Sequence, residues 1–357
     1  SELISGKRAI TPETAQGLAQ AFGTSAEYWM GLESQYQLSK VKVADNHVAR
    51  KARLYSQFPV REMLRRGWVR ASENLDVLEQ RFCEFFGMAS MDDAPVLLHH
   101  AKKTHPLAEV TPLQLAWLFR VRGMAVQQKI PAYRREKLLA AVAQLRTLTL
   151  APEEARHVPR ILAEAGVRLV FVEPMPGSKL DGACFWLADD QPVIGMALRF
   201  DRIDNFWFVL RHEIEHVLRE DGKVGEPVID VEIGDDREGL PECEVLANAA
   251  GADFCVPTDQ LENFIDRVQP YFSEQKVLLF AQRINVHPGL VVGQLQRKLG
   301  PGFQLLKHLP GQFLRGHETE IGQRGFIRAH PVRIQLKQMD DAQMHGSHVI
   351  GIVIDHA

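Results

Sequence analysis

The chain has 357 residues, enough for two or three domains with substantial cores, and its formal net charge of −3 argues against a polyanion binder acting through its whole surface. Four cysteines with no repeated CxxC exclude a disulfide framework. No long apolar run, leader-like segment or lipidation motif is present, so the expectation is a cytoplasmic protein without a membrane partner.

Residues 1–38 predict short helices joined by tight turns. Thr11 caps a helix with Pro12 at its first position, Ala15, Leu18, Ala19 and Phe22 give it an apolar stripe, and Gly23 ends it. Ser25 starts a second helix through Tyr28, Trp29, Leu32 and Tyr36. Residues 1–70 carry eleven Lys and Arg against six Asp and Glu, a net of +5 that leaves −8 for the other 287 residues. A basic front on an acidic body assigns any nucleic-acid contact to this end. The stretch resembles the latter half of HigA-type antitoxin helix-turn-helix domains. That resemblance implies that residues 1–4 end a recognition helix, that most base-reading residues lie outside this sequence, and that Lys7 and Arg8 are phosphate contacts at best.

Residues 45–150 read as helices punctuated by Pro and Gly, the expected form of a helical spacer packed on the domain C-terminal to it. Residues 60–70 are basic and amphipathic, and Leu75, Leu78, Phe82, Phe85 and Phe86 mark the apolar face of the next helix. Helices at 113–121 and 132–148 complete the segment. His99, His100 and His105 fit a loop better than a metal cage.

A helix from residue 156 to Gly166, a strand at 167–172 and two further strands at 182–187 and 192–194 precede the stretch with the most chemistry. His212-Glu213-Ile214-Glu215-His216 is a His-Glu-x-x-His motif on a predicted helix capped by Asp204 or Asn205, with Trp207, Leu210, Ile214, Val217 and Leu218 as its buried stripe. At i, i+4 the two imidazoles share a face and can grip one metal ion. Glu213, between them in sequence, can serve as general base on the water that the metal activates. A second helix begins at residue 242 and stops before Pro257. Glu244 is the expected third ligand, with Glu242 as the alternative, and Asn248 one turn on can hydrogen-bond a ligand imidazole. The acidic residues 220–240 between the two helices read as a loop long enough to act as a flap.

These motifs carry a resemblance. Residues 204–216, Glu244-x-x-Ala247-Asn248 through to Pro257, and Ile284-Asn285-Val286-His287-Pro288-Gly289 resemble the ImmA/IrrE family of bacterial metallopeptidases, over roughly residues 158–310. The resemblance implies zinc held by His212, His216 and Glu244, Glu213 as base, and a small sheet whose edge lies along a peptide cleft. It also implies a protein substrate, a repressor-type regulator destroyed in a stress or phage-related response. The other reading is a DNA-binding regulator or antitoxin whose peptidase-like domain senses a signal with little activity. Tyr271 and His287 are the candidates for stabilising the oxyanion. An inhibitory fourth ligand is expected from Cys184, with Cys83 as second choice.

Residues 311–357 fall outside the resemblance. Residues 332–336 alternate and 349–354 form an apolar run, so a β-rich appendage is expected. The whole is expected to be α+β and mostly helical: a helix-turn-helix remnant at 1–38, a helical spacer at 45–150, a zincin-like metallopeptidase domain with a small sheet at 156–310, and a β-rich tail at 311–357. An oligomer is left open.

Overall fold

The structure, a computed structural model, describes residues 8–40, 47–97, 110–200, 202–223, 227–231, 240–300 and 303, with strands at 320–321, 327–328, 332–337 and 351–356. Residues 1–4, Lys7, His99, His100 and His105 lie outside it. The chain divides into two compact units, Ser1–Ser56 and Gln57–Ala357.

In the first unit, α1 (Pro12–Phe22) opens with a proline where the missing N–H costs nothing, and Thr11 Oγ1 accepts from the Thr14 amide. Gly23, at φ 66°, closes the helix in the left-handed conformation. α2 (Ala26–Lys40) returns along it. The Ile10 amide donates to Glu33 Oε2 at 3.1 Å, and Trp29 lies 5.8 Å from the Phe22 ring. The stripe expected on α1 is only partly covered, with Ala15 buried and Phe22 largely exposed. α3 (His47–Gln57) comes next.

In the second unit, α4 (Val60–Arg65), α5 (Leu75–Phe86) and α6 (Pro112–Gln127) build an aromatic layer in which Phe86 stacks on Phe58 at 4.3 Å and meets Phe119 edge-on at 5.1 Å. A capping box at Thr111 and Gln114 starts α6. The buried side chain of Trp117 then donates to the Val172 carbonyl at 3.0 Å and Gln114 to that of Ser178 at 3.1 Å, tying α6 to the strands. α7 (Arg135–Arg146), a 3-10 turn and α8 (Val158–Glu164) lead into the sheet.

The sheet comprises β1 (Arg168–Phe171), β2 (Leu180–Trp186), β3 (Pro192–Met196) and β4 (Val228–Val231), in the order β1-β3-β2-β4. β1 and β3 are parallel, and β2 is antiparallel to both its neighbours. The fold is therefore α+β, mostly helical with a small mixed sheet. β4 lies inside the residues expected to form an acidic loop. Its order comes from pairing with β2, which a four-residue segment cannot announce by periodicity.

α9 (Ile203–Arg219) packs on β2, and α10 (Glu242–Cys255) packs along α9. α9 starts at Ile203 with Arg202 at its cap, rather than at Asp204 or Asn205. Asp204 sits in the first turn instead, its Oδ2 2.6 Å from the Arg202 guanidinium and its side chain against Gly293. α11 (Thr258–Val268), α12 (Glu274–Ile284) and α13 (Pro288–Leu299) complete the helices. In the tail, β5 (Glu320–Ile321) pairs with β6 (Ile327–Arg328), and β7 (Val332–Lys337) with β8 (Gly351–His356), both antiparallel. Among the described residues no helix is long and apolar enough to cross a membrane.

Candidate metal centre

Phe206, Trp207, Leu210, Ile214 and Val217 are all buried, which pins α9 inside the core and takes His212, Glu213 and His216 out of water with it. His212 and His216, one turn apart, turn their Nε2 atoms toward each other at 3.0 Å. Across from them, the Ala247 and Gly251 side of α10 comes close to α9. A methyl at Gly251 would stand 3.0 Å from the Phe208 carbonyl and ring. That approach brings Glu244 in, its Oε2 3.3 Å from His212 Nε2 and its Oε1 3.5 Å from His216 Nε2.

A fourth group completes the cluster. Asp230 on β4 is only 4% exposed, and its Oδ2 lies 3.4 Å from His212 Nε2 and 3.8 Å from His216 Nε2. One donor atom from each of His212, His216, Asp230 and Glu244 falls within 4.8 Å of all the others. Ligand atoms placed about 2.0–2.2 Å from one tetrahedral zinc would stand ~3.3–3.6 Å apart. The observed separations bracket that value, so the four side chains are spaced as if around a common ion.

Electrostatics favour a cation here. Burial works against a charged imidazole at His212, yet the carboxylates of Asp230 and Glu244 outweigh it and raise the pKa to about 9. Burial likewise opposes ionisation of Asp230, but the adjoining imidazoles of His212 and His216 hold its carboxyl down at about 2. Glu213 has no such partner. Burial, then the negative charges of Asp230 and Glu244, push it well above the usual carboxylate range. Both Glu213 oxygens and Asp230 Oδ2 are buried without a hydrogen-bond partner, a costly state that a bound divalent ion and its water would relieve.

No protein-family model and no curated protein matches this chain. Two imidazoles with two carboxylates form a donor set for a divalent metal ion, zinc being one that such ligands hold.

The outer faces of both imidazoles are held. Asn248 Oδ1 lies 3.1 Å from His212 Nδ1, and Asp221 Oδ2 lies 3.0 Å from His216 Nδ1. Sequence spacing points to Asn248 but not to Asp221, which reaches back because Glu220 closes α9 at φ 60° in the left-handed region. Nor does it point to Asp230. The only sequence signal for that residue is membership of an acidic stretch between the two helices.

Cys184 is not among the four clustered side chains. It is buried on β2 within the core, where burial pushes its thiol up, and its Sγ sits 4.0 Å from the Asp221 carbonyl. The place expected for it beside the imidazoles is taken by Asp230. Cys83 lies on α5, also outside the cluster. His287 caps α13, its Nδ1 accepting from the Gly289 amide at 3.0 Å and its own amide donating to the Thr149 carbonyl. Those bonds give it the place of a turn residue at the start of α13. Tyr271 is largely exposed.

Proposed function

We propose that this chain is a zinc-dependent endopeptidase of the kind its ImmA/IrrE resemblance implies, acting on a repressor-type regulatory protein in the cytoplasm. The observation that carries this reading is Glu213. It is a fully buried carboxylate with both oxygens unpartnered, next in sequence to His212 of the four-donor cluster and directly beneath the β2 backbone at Gly182. Nothing about fold stability calls for a glutamate there, whereas a general base for hydrolysis belongs there.

His212, His216 and Glu244 would hold the ion, with Asn248 and Asp221 fixing the two rings. Zinc, when bound, supplies Lewis acidity and lowers the pKa of water. Glu213 takes the proton of the attacking water on its carboxylate and delivers it to the leaving amine nitrogen. The helices of residues 1–38 serve as the remnant of a helix-turn-helix domain, with nucleic acid as partner, and residues 45–150 as a spacer.

A second reading, a regulator whose peptidase-like domain is a sensor with little activity, is favoured by one observation: Asp230 gives the site a fourth protein donor, as in closed structural zinc sites. Incubating the zinc-loaded chain with the repressor encoded beside it, with and without nucleic acid, separates the two. Cleavage by wild type and none by Glu213→Gln is expected. Cleavage that survives in Glu213→Gln removes the proposed base, and an intact repressor in every condition favours the sensor.

A further inference from the structure

The sheet runs β1-β3-β2-β4, so β3 takes one edge of β2 and β4 takes the other. An extended peptide recognised through main-chain hydrogen bonds needs a free strand edge beside the reacting groups. On β2 the relevant edge is the one taken by β4, because that strand brings Asp230 to within 3.4 Å of His212 Nε2. The residue paired with Gly182 across this edge is Asp230, with Ile229 next, opposite Ala183, and Val228 opposite Cys184. The ladder thus delivers a carboxylate to the metal ligands and blocks the peptide edge in one stroke.

We infer that β4 is an internal occupant of the substrate cleft, with Asp230 closing the metal site as a fourth protein ligand and the β4 backbone covering the β2 edge on which a substrate would pair. This rests on the zinc reading above. The separations of Asp230 Oδ2 from the two Nε2 atoms, 3.4 and 3.8 Å, match those of Glu244, so nothing distinguishes it from a ligand by position. The hold is short. β4 has four residues, and its pairing shifts register between Leu180 and Gly182. A brief ladder of this kind opens at lower cost than the surrounding core. Displacement of β4 would free the β2 edge and the fourth coordination position together, so activation and peptide binding become one event.

The test uses the full chain loaded with cobalt(II), whose visible absorption reports its ligands. Acetohydroxamate, a small chelating ligand for an open metal site, is titrated in. The wild-type spectrum is expected to resist it, while Asp230→Ala and Asp230→Asn respond at concentrations at least tenfold lower. Ile229→Pro, which disfavours the extended pairing of β4, should respond likewise and speed amide exchange at residues 182–184. A wild-type spectrum that shifts as readily as that of Asp230→Ala overturns the closure and leaves the metal site standing. So does an Asp230→Ala protein that binds cobalt but stays insensitive. Failure of wild type to take up cobalt overturns the metal site itself, and the closure with it.

Discussion

Gly182 and Glu213 are in direct contact: the β2 backbone leaves no room above the Glu213 carboxylate for even a methyl group. Gly182→Ala must therefore either push the strand off α9 or displace the carboxylate. Overpacking of this sort costs about 1–3 kcal/mol. The expected result is a lowered urea midpoint and impaired hydrolysis with the metal still bound, because the atoms nearest that methyl all belong to Glu213 and not to the four clustered donors. Wild-type stability and turnover in this variant would show that Glu213 is not packed beneath β2.

Metal removal should be felt as destabilisation. His212→Ala and Glu244→Ala are expected to lose an ion that wild type holds at about one per chain, measured by elemental analysis of purified protein. Chelation of wild type should lower its melting temperature, since Asp230 and Glu244 are then left beside each other without the cation that binds the folded state. Equal melting temperatures before and after complete chelation would mean that the cluster holds no structural ion.

The residues behind the imidazoles should tune affinity without being ligands. Asn248→Ala and Asp221→Ala each remove the partner of one Nδ1 and are expected to weaken zinc binding by about 10–100-fold. Competition against a chromophoric chelator measures this. If Asp221→Ala binds zinc as tightly as wild type, its contact with His216 does not orient the ring.

His287 predicts a pH dependence away from the centre. Burial lowers its pKa, so the folded protein favours the neutral ring whose Nδ1 accepts from Gly289, whereas the unfolded chain takes up a proton at the ordinary value, about 6.5. Its contribution to stability is present above that value and is lost as pH falls through the lower folded one. His287→Asn keeps an acceptor at the cap and removes the titration. Urea midpoints should thus fall less for the variant than for wild type between about pH 7.5 and about pH 5.5. Parallel falls would assign the acid sensitivity elsewhere.

Local spacing makes part of this legible in the sequence. The i, i+4 histidines, the stripe that buries α9, and the Glu244 and Asn248 face of α10 are properties of single helices, each encoded within a few turns. What is not legible depends on distant partners. Asp230 acquires its place only through a ladder with a strand about fifty residues earlier, and Asp221 through a left-handed residue that is not glycine. The expectation for Cys184 fails for the same reason. Its strand is foreseeable, and it shares the α9-facing side of β2 with Gly182, but it lies further along the strand beside the Asp221 carbonyl, where the thiol is core. Phe22 completes a helical stripe in α1, yet a stripe in sequence does not say what will cover it.

The closeness of α9 and α10 at Gly251 has a consequence for ion choice. Glu244, Ala247 and Gly251 recur along one side of α10, so the distance from the Glu244 carboxylate to the two imidazoles is set by how tightly the backbone at Gly251 meets Phe208. The helix pair acts as a caliper whose jaws are set by two residues with almost no side chain. A methyl at residue 251 would widen the jaws by a fraction of an ångström two turns away from Glu244, and would bias the seat from small ions toward larger ones.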